Sequence, residues 1–160
     1  MRTKEVLKHV NIMLEAIEDK SKMTDEIKRK YNFQPSRWGR REYYEGYDVR
    51  QMLGISSYKS YQITKTMLKK MKVFLDEAVK QGFYGDVEFR TGYRNGMWAS
   101  TRTGSTDEKK GEMVLYRSFE SDSDYWEIRK DRDTKITQGL LTKTEIRKYI
   151  KDNYIWGEYG

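Results

Sequence analysis

Apolar residues at Val6, Val10, Met13, Leu14 and Ile17 fall three and four positions apart, so the spacing predicts an amphipathic helix over Thr3–Asp19 with Thr3 as its N-cap. A second, short helix is predicted from Thr24-Asp25-Glu26 to Tyr31, with acids in its first turn, Lys28-Arg29-Lys30 in its last, and Pro35 beyond it. A longer helical stripe runs through Tyr61, Ile63, Met67, Met71, Phe74 and Ala78, widened by Leu68 and Leu75 and stopped at Gly82. After Gly82 the period changes from helical to alternating. Segments 86–91 and 97–103 flank Tyr93-Arg94-Asn95-Gly96, whose Asn-Gly step signals a hairpin turn. Segments 112–119 and 125–130 form a second pair around the polar turn 120–124, and the polar stretch 104–111 joins the two hairpins as a loop. Thr142-Lys143-Thr144-Glu145 then reads as a capping box opening a helix with Ile146, Tyr149 and Ile150 inward. The expected fold class is α+β: a helical N-terminal half, 1–82, followed by a small antiparallel module of two hairpins with a C-terminal helix, 83–160.

Charge sharpens that division. The 160-residue chain carries a formal net charge of +7, and residues 1–82 hold 18 Lys+Arg against 11 Asp+Glu while residues 83–160 hold 14 against 14. The whole excess sits in the helical half, which is the distribution expected when one half faces a polyanion. Zero cysteines and one histidine remove the ligands of zinc fingers and iron-sulfur clusters, the thiol nucleophiles, and most imidazole acid-base chemistry. His9 reads as a boundary residue. No cofactor and no metal is expected. No apolar run nears the roughly 18 residues of a membrane span, and residues 1–20 alternate charge with apolar positions where a signal peptide would be uninterruptedly apolar. The expectation is a cytoplasmic protein without a membrane partner.

Two stretches carry the candidate contacts. In SRWGRREYYEGY, residues 36–47, Arg37, Arg40 and Arg41 alternate with Trp38, Tyr43, Tyr44 and Tyr47, a pattern suited to phosphate contact combined with base stacking. Residues 28–41 hold six basic residues and no acid. In GYDVRQMLGISSYKSYQITKTM, residues 46–67, Val49, Met52 and Leu53 precede Gly54, then Ile55 follows as an apolar residue and Ser56 as a cap, with Ser60 and Ile63 inward. The run LGISSYKSYQI resembles the helix-turn-helix segments of excisionase-like proteins and small regulators of phages and mobile elements, over residues 48–70 only, with Arg50 where that family usually carries a small residue. The resemblance implies a recognition helix exposing Ser57, Tyr58, Lys59, Gln62, Lys65 and Thr66, with Gln62 suited to adenine and Lys59 or Lys65 to guanine or phosphate. Lys69, Lys70 and Lys72 lie further along and are expected to contact phosphates.

The function expected from these features is non-catalytic binding of DNA or RNA, or of a nucleoprotein complex, by the basic half. The second half would serve a protein partner or a homodimer, with Trp98 and Trp126 as anchors. Two other classes compete. An anti-defence inhibitor of the anti-CRISPR kind, seizing a nuclease–nucleic acid complex, would use the aromatic second half as its binding face. A metal-dependent nuclease is the weaker rival, resting on Glu88-Phe89-Arg90, Glu127-Ile128-Arg129 and the acids Glu120, Asp122, Asp124, Asp131 and Asp133.

Overall fold

A computed structural model describes residues 2–38, 41–56, 62–91, 96–102, 114–119, 124–129 and 142–153. Over these residues the chain is α+β, with its long helices and one small antiparallel sheet in the N-terminal half, a second antiparallel sheet after them, and a closing helix. The expected hairpin turns at 93–95 and 120–123, the loop 104–111, and the acids Glu120, Asp122, Asp131 and Asp133 lie outside the described residues. So do Arg40, Ser57, Tyr58, Lys59, Ser60 and Tyr61.

Helix α1, Thr3–Glu18, buries the apolar stripe read from its spacing: Val6, Val10, Met13, Leu14 and Ile17 are all in the core. Thr3 does not cap it. The N-cap is Arg2, and Thr3 is a fully buried first-turn residue whose hydroxyl donates to the Gly85 carbonyl at 2.8 Å and meets the Thr101 hydroxyl at 2.6 Å, so the start of α1 is fastened to the later sheet. A 3₁₀ turn at Lys20–Lys22 leads to α2, Asp25–Lys30, where the Thr24 hydroxyl accepts from the Ile27 amide at 3.2 Å as an N-cap should. Strands β1, Phe33–Gln34, and β2, Tyr43–Glu45, then pair antiparallel. Short helix α3, Tyr47–Met52, follows; strand β3, Gln62–Thr64, pairs with β2 and completes a three-stranded sheet, Ile63 opposite Tyr44 and Tyr44 opposite Phe33.

Helix α4, Lys65–Lys80, starts directly from β3. Its N-cap is Thr64, whose hydroxyl accepts from the Met67 amide at 3.3 Å, and its stripe of Leu68, Met71, Phe74, Leu75 and Ala78 is buried against α1. The second sheet is a meander in the order β4 (Val87–Thr91), β5 (Met97–Arg102), β6 (Val114–Phe119), β7 (Asp124–Arg129). Phe74 of α4 meets the sheet edge-on at Phe89 and stacks on Trp126, both with ring centroids 5.9 Å apart. Helix α5, Lys143–Asn153, opens with the expected capping box: the Thr142 hydroxyl accepts from the Glu145 amide at 3.2 Å, and Glu145 accepts from the Thr142 amide at 3.3 Å. Arg147 of α5 then makes a two-pronged ion pair with Glu77 of α4, at 2.6 and 2.8 Å.

The helix-turn-helix expectation is corrected at its second helix. α3 ends at the expected glycine turn, which is a Schellman motif, with the Ile55 amide on the Arg50 carbonyl at 2.9 Å and the Gly54 amide on the Gln51 carbonyl at 3.1 Å, Gly54 adopting φ +69°. Ser56 is engaged by β4. Its amide donates to the Phe89 carbonyl at 2.9 Å and its hydroxyl to Glu88 at 3.0 Å, while the Phe89 amide donates to the Gly54 carbonyl at 2.8 Å, so residues 54–56 lie against the edge of β4 like a short extra strand. An exposed strand edge offers unpaired amides and carbonyls, and here a neighbouring segment satisfies them. The next described residues, 62–64, are extended, and the helix begins at Lys65. Gln62 is therefore a strand residue and Lys65 and Thr66 form a first turn, not the middle of a recognition helix.

Candidate nucleic-acid interface

A cleft of about 680 Å³ opens beside the first turn of α4 and is lined by residues from both halves of the chain. Ser36, Arg41 and Glu42 of the β1–β2 connection form one wall, and Gln62 and Thr64 of β3 with Lys65, Thr66, Met67 and Lys70 of α4 form its base. Thr91, Gly96 and Met97, at the turn end of β4 and β5, close the far side. Five of the expected contact residues, Arg41, Gln62, Lys65, Thr66 and Lys70, thus converge on one site, although they come from three different elements. Glu42 is the only carboxylate among these lining residues, and Lys20 pairs with it at 2.7 Å. Among these lining residues three cations, Arg41, Lys65 and Lys70, thus stand against one carboxylate.

The start of α4 adds to that potential. Its first turn holds no acid and begins with Lys65, so a cation sits at the positive end of the helix dipole. That placement is unfavourable by roughly 0.3–1 kcal/mol and reverses when an anion docks there. Helices α1, α2 and α5 instead carry acids in their first turns.

The other expected contacts divide. Lys69 is exposed on the outer side of α4. Lys72 donates to Asn11 of α1 at 2.8 Å and pairs with Asp76 at 3.3 Å, which engages its charge within the fold. Arg37 is exposed on the β1–β2 connection, beside Trp38, which is 98% exposed. Of the aromatics interleaved with the arginines, Tyr47 is also exposed, at 71%, whereas Tyr44 is fully buried and donates to the Met13 carbonyl at 2.6 Å. The interleaved stretch is thus half loop, half core.

In the second half, Trp126 is corrected from partner anchor to core residue. It is 3% exposed, stacked on Phe74 and approached by the Arg117 guanidinium, 4.9 Å from its ring centre. Burial pulls the Arg117 guanidinium down from its ordinary range, with Asp124 at 3.7 Å acting the other way. Trp98 is half-buried on the opposite face of the sheet.

Of the carboxylates weighed for metal catalysis, the described pair Glu88 and Glu127 do not come together. Glu88, Ser100, Tyr116 and Glu127 lie in one cross-strand row, so Glu88 and Glu127 are separated by three strand spacings, about 14 Å at the usual interval. Glu88 is engaged by Arg90 at 2.7 Å, and no group of three metal-ligating side chains occurs among the described residues. His9, half-buried, bonds through Nδ1 to the Tyr31 hydroxyl at 2.8 Å; burial, then the charges of Lys30 and Lys8, hold its pKa below the ordinary value, with Glu5 opposing them. No described helix is long and apolar enough to cross a membrane.

Among the lining residues that sequence reasoning missed are Ser36, Glu42, Thr64, Thr91 and the Gly96–Met97 wall. Thr64 carried a signal, since a threonine three residues before Met67 is a possible N-cap. Nothing local places the β4–β5 turn beside it. No protein-family model, curated protein or solved structure matches the chain.

Proposed function

We propose that this protein binds nucleic acid through the cleft at the start of α4, acting in the cytoplasm as a binding module with no chemistry of its own. One observation carries the reading: Arg41, Lys65 and Lys70 meet in a single cleft, with Gln62, Ser36, Thr64 and Thr66 supplying hydrogen-bonding groups between them. Cations set among amide and hydroxyl groups suit a phosphate backbone, where charge supplies affinity and neutral donors fix register. The second half, neutral overall, braces this site by supplying its far wall, and Trp98 is its remaining aromatic candidate for a protein contact.

The test is fluorescence anisotropy with labelled oligonucleotides over a series of salt concentrations. The wild-type chain is expected to bind with an affinity that falls linearly on a log-log plot against salt. Lys65→Glu or Lys70→Glu is expected to weaken binding and flatten that slope by about 0.7–0.9 for each phosphate that is no longer neutralised. Binding and slope unchanged in the double charge reversal would remove the cleft from the interface.

A further inference from the structure

Tryptophan is among the more buried residues on average, yet Trp38 holds 98% of its surface in water. Ser36, two residues before it, and Arg41, three after, line the cleft, so Trp38 belongs to the connection that lines the site, and in sequence that connection carries Arg37, Arg40 and Arg41. Arg37 precedes it, also exposed. An exposed indole in an arginine-rich segment has two complementary targets, a π face and a phosphate. In a duplex the base faces are already stacked and only their edges reach the grooves. In a single strand the faces are open.

The surroundings of α4 point the same way. Reading a major groove requires a helix or β-ribbon that projects into a channel. Here the first turn of α4 forms the base of a cleft walled by the β1–β2 connection and by the end of the β4–β5 pair. A flexible single strand follows a concave surface of this kind one nucleotide at a time, whereas a groove reader needs its helix to stand out from the surface.

We infer that the ligand of the cleft is single-stranded nucleic acid, with one base stacked on Trp38 and the adjoining phosphates held by Arg41, Lys65 and Lys70. This rests on the nucleic-acid reading above and specifies its substrate.

The experiment uses the full chain and three labelled probes of about 20 nucleotides, long enough to cover a typical single-strand site: oligodeoxythymidylate, oligouridylate, and a DNA duplex. The wild type is expected to bind one or both single strands at least about tenfold more tightly than the duplex, because stacking adds to the phosphate contacts only there. Trp38→Ala is expected to weaken single-strand binding about 5- to 100-fold while leaving the salt slope and duplex binding unchanged, and Trp38→Phe to retain most of the affinity. Its melting curve should match wild type, since the ring buries almost nothing. Three outcomes would overturn the inference. If Trp38→Ala binds single strands like wild type while Lys65→Glu binds them more weakly, stacking is refuted and the phosphate-binding cleft survives. Equal weakening on single strands and duplex would make the Trp38 loop a backbone or protein contact instead. If the wild type binds none of the three probes in a salt-dependent way, both the inference and the reading beneath it fall.

Discussion

A β-carbon placed on Gly54 would stand 2.5 Å from the Val87 carbonyl oxygen, closer than such atoms approach in folded proteins. Gly54 also holds φ +69°, so two independent constraints exclude a side chain there. Because the obstructing atom is backbone, relief requires residues 54–56 to lift from the edge of β4. Gly54→Ala is expected to cost on the order of 2 kcal/mol and Gly54→Val more, read from urea denaturation. This cost reports the docking of α3 onto the second sheet, not a helix-turn-helix. Val87→Ala leaves the carbonyl in place and should not rescue either variant.

The Glu77–Arg147 pair gives a pH signature. Glu77 is 4% exposed; burial alone would raise its pKa, but hydrogen bonds from Arg147 and Gln81, with the charges of Arg147 and Lys143, bring it below the ordinary 4.5. A carboxylate with a depressed folded pKa stabilises the fold above its unfolded value and loses that contribution as pH falls through the folded one. Stability is therefore expected to decline below about pH 4.5. In Arg147→Met the carboxylate is left buried without its main partner, so the sign reverses and mild acid should stabilise this variant. Adding Glu77→Gln should recover part of the stability at neutral pH, because the uncompensated charge is gone. A double variant less stable than Arg147→Met would refute the assignment.

Trp126→Ala is expected to destabilise by about 3–5 kcal/mol, since the indole is buried in the core against Phe74 and Arg117. Thermal melting followed by near-ultraviolet circular dichroism checks this. A Trp126→Ala protein that melts like wild type would return the residue to the surface, where a partner anchor belongs.

The elements with self-contained local signals were legible: the α1 stripe, the Thr24 cap, the Thr142–Glu145 capping box, and the paired segments after Gly82 all stand where periodicity and caps put them. Ile63 shows why the middle was not. It lies four residues before Met67, so it fits the helical stripe of α4, yet it is extended and faces the core from β3 opposite Tyr44. A three-residue strand cannot display a period of two clearly enough to compete with a helix beginning beside it. Gly54 likewise signalled a turn but not its destination, because the edge of β4 that receives residues 54–56 is about 30 positions later in the chain. Five of the residues that line the cleft were readable by charge and type; the far wall was not, since proximity across the fold leaves no local trace.

Trp38 offers a separation of stability from function. Its φ of +54° is a left-handed conformation that costs a non-glycine residue about 1 kcal/mol or more, and its ring contributes almost no burial to offset that. Trp38→Gly should therefore leave stability unchanged or raise it by up to about 1 kcal/mol in denaturant titrations. The same variant should bind single-stranded probes as poorly as Trp38→Ala. A drop in stability would mean that the ring packs against the fold.

The lysines of α4 should not contribute equally to binding, although the sequence presents Lys65, Lys69, Lys70 and Lys72 as one basic run. Lys65 and Lys70 line the cleft, while Lys72 is held by Asn11 and Asp76. Drawing Lys72 toward a phosphate would break both interactions, and its charge is already balanced by Asp76 at 3.3 Å. Neutralising Lys65 or Lys70 to Met should therefore reduce affinity about three- to tenfold at moderate salt and flatten the log-log slope, whereas Lys72→Met should leave the slope within error of wild type. Asp76→Asn supplies the complementary arm: it releases Lys72 from its ion pair and removes a negative charge from the outer face of α4. If the ligand extends along that face past Lys69, Asp76→Asn should strengthen binding and steepen the slope; if the ligand is confined to the cleft, it should change neither. Equal effects from Lys65→Met and Lys72→Met would show that the helix acts as a diffuse positive rod, and the cleft would lose its claim to be the binding site.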